Sequence, residues 1–92
     1  MIIDAHLHVW DRSRARYDWL GPHLPEVNRD IAFREIMPVL NRLGIDGVVL
    51  VQSADDAGDT RNMLDEASAA PAVLGVVGWA PLEAPDRARV EL

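Results

Sequence analysis

Cysteine is absent from this chain, which excludes a disulfide framework and any thiolate metal site. Long apolar segments are absent too, because none approaches the roughly 18 residues that a membrane helix needs. The first residues lack the basic start and the apolar stretch of a secretory signal. These absences lead us to expect a soluble, cytoplasmic protein with no membrane partner.

Positive charge is scarce. The 9 basic residues are outnumbered by 15 acidic residues, which gives a formal net charge of −6. Because affinity for nucleic acids depends mainly on clustered Lys and Arg, no nucleic-acid partner is expected. Arg12, Arg14 and Arg16 are a local exception, either as a solvated loop or as a loop that recognises a substrate carboxylate.

Three short apolar segments have the pattern of buried β-strands. The second and third are continuously apolar, which is typical of parallel strands covered on both faces. The three predicted strands run from Ile2 to His8, from Gly47 to Gln52 and from Val73 to Trp79.

A first helix is predicted from about Arg34 to Leu43, where apolar residues recur at three- and four-residue spacing. Its apolar face would consist of Ile36, Val39, Leu40 and Leu43. Pro38 would then lie in or near the first turn, where a missing N–H is tolerated best, and Gly44 would cap the end.

A second helix is predicted from about Arg61 to Ala69, with Asp59 or Thr60 as its N-cap and Pro71 after its end. A third is expected to begin near Pro85 and Asp86.

Strands and helices alternate as β-α-β-α-β-α, which predicts an α/β fold with a parallel sheet and outer helices. A (β/α)8 TIM barrel and an open doubly wound sheet both fit. No Gly-rich phosphate loop follows the first strand, which disfavours the nucleotide-binding open sheet. Because three strands cannot close a barrel, we expect residues 1–92 to be a partial barrel domain, either the amino-terminal third of a larger protein or a truncated copy.

The segment from about Val9 to Phe33 is long for a βα connection. In a barrel, the loops after the strands build the active site. The aromatic side chains of this segment would therefore form a lid or substrate wall, or simply pack the loop onto the barrel rim. The segment contains Trp10, Tyr17, Trp19 and His23, of which His23 is expected to lie at the surface of the loop.

His6 and His8 are the strongest indication of chemistry. Side chains two apart on a strand point the same way, so Asp4, His6 and His8 share a face. Two imidazoles there can reach one divalent ion at about 2.0–2.1 Å. Since a catalytic zinc usually has three protein ligands, at least one must come from elsewhere. The alternative is two histidines that hydrogen-bond at the barrel mouth without a metal.

Polar and aromatic residues also end the other two strands. Gln52 ends the second strand and Trp79 ends the third, at the edge where barrel enzymes place functional groups. We predict both as substrate contacts. Asp55, Asp56 and Asp59 could approach the site, but are expected to cap the second helix and favour its positive end.

The motif Asp4-Ala5-His6-Leu7-His8 resembles the first strand of the amidohydrolase superfamily, in its amidohydrolase-2 group. Three further segments are similar to the lactonase branch of that group, which includes L-fuconolactonase, L-rhamnonolactonase and 4-sulfomuconolactonase. These segments are Val9-Trp10-Asp11 with Tyr17-Asp18-Trp19-Leu20, Gly47 to Gln52, and Gly75 to Leu82. The resemblance covers essentially the whole chain, but about the first third of such a barrel.

The resemblance implies a metal-dependent hydrolase that opens the lactone ring of a sugar acid or a related small carboxylic acid. His6 and His8 would hold the ion, zinc or else manganese, although relatives differ in whether they need one. Asp4 would support the site and Trp19 would join Gln52 and Trp79 as a substrate contact. The implied general-base Asp would lie beyond Leu92, so we expect the 92-residue chain alone to be inactive.

Other functions stay open at this point. A metal-dependent decarboxylase or hydratase of the same superfamily would share the motif and fold. A metal-dependent nuclease or phosphoesterase barrel can begin with a similar strand, although the acidic balance weighs against it. A third alternative is a non-catalytic barrel fragment, whose unpaired strand edges would invite self-association.

Overall fold

Three parallel strands form one sheet in the order β1-β2-β3. The computed structural model describes residues 1–87. Its elements in chain order are β1 Ile3–Leu7, α1 Phe33–Arg42, β2 Gly47–Val51, α2 Ala57–Ala69 and β3 Val73–Val77. The predicted α/β class, with parallel strands connected by helices, is confirmed.

The core lies between the sheet and its two helices. Val48 and Leu50 of β2 are fully buried there, beside Phe33 of α1 and Met63 of α2. Along β1 and just beyond it, Leu7 and Val9 point into this core. Strand alternation therefore turns Asp4, His6 and His8 to the opposite face. In the described part of the chain no helix covers that face, and Val77 is 52% exposed.

Helix α1 ends as predicted, at a left-handed glycine. Gly44 has φ of 72°, a region that favours glycine because it has no Cβ. The amide of Gly44 donates to the carbonyl of Asn41 at 3.2 Å, and the amide of Ile45 donates to the carbonyl of Leu40 at 3.0 Å. This pair of bonds is a Schellman motif, which turns the chain sharply into β2.

Two details predicted for α1 were wrong. Pro38 lies in the second turn, because the helix begins at Phe33. Val39 and Leu43 were placed on the buried face but are 43% and 65% exposed. The buried face is instead centred on Phe33 and Leu40, with the amide of Phe33 donating to Glu66 of α2 at 2.7 Å. Pro38 and Arg34 lie on the exposed side of the helix, so the carbonyl of Arg34, which proline leaves without its helical partner, can bind water.

Helix α2 begins four residues earlier than predicted. Asp56 is its N-cap, and the Asp56 carboxylate accepts from the amide of Gly58 at 2.8 Å. The prediction that Asp59 or Thr60 caps this helix was therefore wrong, since both lie inside its first turn. The expectation that Asp56 would cap α2 is confirmed.

The long segment after β1 is closed at its base by a backbone clasp. Trp10 and Ile31 form an isolated antiparallel bridge with two hydrogen bonds of 3.0 Å. The indole of Trp10 also donates to the carbonyl of Arg29 at 2.6 Å. Trp10 and Tyr17 are buried, so these two aromatics pack the loop, whereas His23 is exposed as expected.

After β3, residues 85–87 are helical, in agreement with a third helix near Pro85 and Asp86. The rest of that predicted helix lies outside the described residues. Among the helices of residues 1–87, none has the length and apolar character to cross a membrane.

Candidate metal centre and adjoining pocket

The side chains of His6 and His8 converge at the carboxyl end of β1. Their rings meet edge to face, with centroids 4.9 Å apart, and their Nε2 atoms share a hydrogen bond of 3.2 Å. Asp4, two residues earlier on the same face, accepts from the backbone amide of His6 at 3.1 Å. The Asp4 carboxylate therefore stabilises the backbone of His6 and with it the position of the His6 ring.

A contact with the next strand orients the second imidazole. Nδ1 of His8 lies 2.9 Å from the carbonyl oxygen of Val51, at the end of β2. Since a carbonyl only accepts, Nδ1 carries the proton and donates it, which leaves the lone pair on Nε2. A hydrogen bond from the other ring nitrogen to a carbonyl is the usual support for a metal-binding histidine.

These two nitrogens fit a tetrahedral ion. Two ligands at about 2.05 Å with a tetrahedral angle between them are about 3.3 Å apart, close to the 3.2 Å that separates the two Nε2 atoms. Among residues 1–87, no group of three His, Cys, Asp or Glu side chains could hold an ion. The described residues thus offer two nitrogens at a spacing that an ion could bridge, whereas a catalytic zinc usually has three protein ligands.

A pocket of about 430 Å³ opens beside His8. Its walls are mostly apolar and aromatic, which suits a small organic ligand. The pocket is lined by His8, Trp10, Trp19, Val27, Gln52 and Ser53. The structure therefore brings together two of the three predicted substrate contacts, Trp19 and Gln52, next to the histidine pair.

Trp19 and Gln52 are each held in place by hydrogen bonds. The indole of Trp19 donates to the carbonyl of Ser53 at 2.8 Å and meets the ring of Trp10 edge to face. The side-chain amide of Gln52 donates to Asp55 at 2.9 Å. Trp19 is 38% exposed, so its ring forms a wall that a ligand can reach.

Trp79, the third predicted contact, does not line this pocket. It follows β3 by two residues, and its backbone is tied to α2. The hydroxyl of Thr60 accepts from the amide of Trp79 at 2.9 Å and donates to its carbonyl at 3.1 Å. These contacts anchor the chain after β3.

The arginines at positions 12, 14 and 16 are all paired with acidic side chains. Arg12 contacts Asp30 at 3.1 Å, and Arg16 contacts Asp18 at 2.8 Å. The third pair joins Arg14 to Asp65 on α2, at 2.6 Å. Hydrogen bonds from Arg12, first from its backbone amide, lower the pKa of Asp30. This pairing favours a structural role for the arginines over recognition of a substrate carboxylate.

Sequence reasoning missed a buried network next to the pocket. Asp59 is fully buried and accepts from the hydroxyl of Tyr17 at 2.7 Å and from the backbone amide of Ser53 at 2.8 Å. Burial and the hydrogen bond to Asp59 raise the pKa of Tyr17 above its ordinary value of 10.0. No local pattern marked this network, because Tyr17 and Asp59 are 42 residues apart in sequence.

The hydrogen bond between Tyr17 and buried Asp59 predicts how the tyrosine hydroxyl titrates at alkaline pH. Tyr17 is the only tyrosine, and the chain has no lysine to titrate in the same range. Because the folded-state pKa is raised, the contribution of Tyr17 to stability is complete below pH 10 and is lost as the pH rises above it. Tyrosinate absorbance at 295 nm should therefore stay low at pH 10 and appear only as the chain unfolds.

A Tyr17→Phe variant is the control, since its unfolding free energy should lose this dependence on pH above 10. An absorbance midpoint at pH 10 in the folded chain would contradict the raised pKa.

Comparisons with known proteins agree with this geometry, although no family model matches the chain. The chain is 38% identical over 84 residues to L-fucono-1,5-lactonase of Burkholderia ambifaria. It is 29% identical over 86 residues to L-fucono-1,5-lactonase of Burkholderia multivorans. These matches include 91% and 94% of this chain, but 29% of each relative.

The fold is similar to that of an amidohydrolase from Burkholderia multivorans, at 28% sequence identity. The TM-score is 0.83 for a crystal structure with bound zinc and 0.82 for one with bound HEPES. The alignments cover 98% and 97% of this chain, and 32% and 31% of the other. The predicted resemblance is therefore confirmed: over nearly its whole length this chain is similar to proteins named L-fucono-1,5-lactonase and to an amidohydrolase of known structure, and it spans less than a third of their length.

Proposed function

We propose that this chain supplies part of a metal-dependent hydrolase that opens the lactone ring of a sugar acid or a related carboxylic acid. The observation that carries the proposal is the convergence of the Nε2 atoms of His6 and His8, 3.2 Å apart, beside a pocket of ligand size. Two relatives are named L-fucono-1,5-lactonase, and a structural neighbour contains zinc. Residues 1–92 would belong to one barrel domain.

His6 and His8 would hold the divalent ion, and zinc, which a structural neighbour contains, accepts imidazole nitrogen readily. Such an ion supplies Lewis acidity toward a lactone carbonyl and makes a nearby water more acidic. The contact of His8 with Val51 fixes the tautomer that leaves Nε2 available for the ion. Asp4 supports His6 through its backbone amide.

The pocket would bind the substrate as a small molecule. Trp19 presents an aromatic ring, on which the C–H face of a sugar ring can lie, and Gln52 brings a hydrogen-bonding amide to the same pocket. The acidic chain and the absence of cysteine are in keeping with a cytoplasmic enzyme of small-molecule metabolism.

A chimera tests the proposal. This chain would replace the matching segment of the Burkholderia ambifaria lactonase, with which it shares 38% identity. The chimera is expected to hydrolyse L-fucono-1,5-lactone, as measured by proton release in weak buffer. A panel of other sugar lactones, with aromatic and unsaturated carboxylic acids added, separates lactonase activity from decarboxylase or hydratase activity.

A folded, zinc-loaded chimera that decarboxylates an acid but opens no lactone would refute the proposal. One that acts on neither class would refute it as well.

The 92-residue chain by itself is expected to show no lactone turnover above the rate without protein. The reason is that its described residues bring only two metal ligands together, whereas a catalytic zinc usually has three. The same proton-release assay, with the chimera as positive control, measures this. Lactone turnover by the isolated chain would contradict the two-ligand interpretation.

A further inference from the structure

The buried carboxylate of Asp59 connects three separate segments of the chain. Asp59 is the third residue of α2, Tyr17 belongs to the long loop after β1, and Ser53 follows β2. Both oxygens of Asp59 are used, one by the Tyr17 hydroxyl at 2.7 Å and one by the Ser53 amide at 2.8 Å. The position in the first turn of a helix favours negative charge.

A carboxylate in such a position holds its partners firmly. Burying a charged group is costly unless its hydrogen bonds are made, and bonds to a charged acceptor are stronger than those between neutral groups. Any displacement of Ser53 from Asp59 would leave a buried charge with one bond fewer. The geometry therefore fixes the backbone of Ser53.

Ser53 in turn contacts two parts of the pocket. Its carbonyl accepts from the indole of Trp19 at 2.8 Å. Its hydroxyl donates to the carbonyl of Val9, the residue after His8, at 3.1 Å. Trp19, His8 and Ser53 itself line the pocket. Hydrogen bonds therefore run without interruption from Asp59 through Ser53 to Trp19.

We propose that Asp59 is a positioning residue: it holds Ser53 in place and thereby fixes the Trp19 wall of the pocket beside His8. Asp59 touches none of the pocket space itself, and it acts only through Ser53 and Tyr17. Its effect on a substrate rests on the proposed function, whereas its effect on Trp19 does not.

The test follows the indole N–H signals of the ¹⁵N-labelled 92-residue chain by NMR. In an Asp59→Ala variant, the Ser53 amide loses its hydrogen bond to the charged carboxylate, so the Ser53 carbonyl that accepts from Trp19 is no longer held in place. Hydrogen exchange at the Trp19 indole should therefore accelerate about tenfold relative to that at the Trp10 indole. The Trp10 indole donates to Arg29, at the other side of the loop, and serves as an internal reference. General loosening of the fold would accelerate both indoles equally.

Two further variants sharpen the test. Asp59→Asn restores an acceptor for the Ser53 amide, so it should return the Trp19 rate to within about threefold of the original. Asp65→Asn changes an exposed acid on the same helix, in contact with Arg14, and should leave the ratio unchanged. Equal acceleration of both indoles in Asp59→Ala, or no acceleration of either, would overturn the proposal.

If Asp59→Ala does not fold, the double variant Asp59→Leu with Tyr17→Phe decides the question. It removes the carboxylate that accepts from the Ser53 amide, together with the hydroxyl that would lose its partner, and keeps the aromatic ring that meets Trp19. Faster exchange at the Trp19 indole alone would support the positioning role, and an unchanged ratio would refute it.

In the chimera, Asp59→Asn and Asp59→Ala provide a second, independent readout. Asp59→Ala should raise the KM for the lactone more than it lowers kcat, with zinc content unchanged, because the histidine pair is untouched, and Asp59→Asn should recover most of the loss. A chimera without activity would count against the proposed function only, since the indole exchange decides the role of Asp59.

Discussion

Replacing His6 and His8 together by alanine is expected to remove zinc from the chimera and to slow lactone hydrolysis by at least about 10³-fold. The two Nε2 atoms lie 3.2 Å apart at the carboxyl end of the sheet, so both imidazoles would be lost from one ion. A metal that polarises a carbonyl supplies several kcal/mol of transition-state stabilisation, and each 1.36 kcal/mol corresponds to a tenfold change in rate. Metal analysis by mass spectrometry and the proton-release assay measure the two effects separately.

His23→Ala is the matched control, because it removes an exposed histidine from the loop while leaving the pair intact. It should keep both zinc and activity. If the double variant kept its zinc and its rate, His6 and His8 would not be ligands. If it kept zinc but lost activity, the pair would act on the substrate and not on the ion.

Gly58→Ala is expected to destabilise the chain by about 2 kcal/mol or more, against the usual rule for helices. In a helix, alanine is normally more stable than glycine by about 1 kcal/mol. Here a Cβ would overlap the carbonyl oxygen of Arg14 and lie 3.0 Å from the carbonyl carbon. Both are backbone atoms, so the loop must move away from α2, and such overpacking costs free energy. Urea unfolding followed by tryptophan fluorescence measures the change.

Gly75→Ala is the control for this comparison. A Cβ at Gly75 meets no other atom within 4 Å, so the change in unfolding free energy should stay within about 0.5 kcal/mol. Equal stability of the Gly58→Ala variant and the original chain would show that the loop can move away from α2 at little cost in free energy. The close approach of Arg14 to α2 would then not hold the loop.

Strands β2 and β3 could be predicted from the sequence because short, continuously apolar segments are typical of buried parallel strands. Each observed strand lies inside its predicted range, shorter by one to two residues at an end. The side-chain orientations along β1 could also be predicted, because strand alternation places His6 and His8 on one face. The distance between their rings could not be predicted, since it depends on the contact of His8 with Val51 of another strand.

The helix starts were harder, because tertiary contacts decide them. Phe33 was placed in the loop, but its burial and its bond to Glu66 start α1 there. Ala57 and Gly58 gave no helical pattern, yet Asp56 caps α2 at that point. Asp59 and Tyr17 are 42 residues apart in sequence, so local patterns could not reveal their contact.

The clasp between Trp10 and Ile31 leaves the tip of the intervening loop, residues 21–26, as an exchangeable segment. Its two backbone bonds close the loop at its base, next to the strand that carries the histidines. The entropy of closing a loop rises slowly with length, so insertions between the clasp residues should cost little stability. New binding preferences could then be engineered by replacing residues 21–26 from a related protein, while the clasp and the contacts of Tyr17 and Trp19 keep the rest of the loop in place.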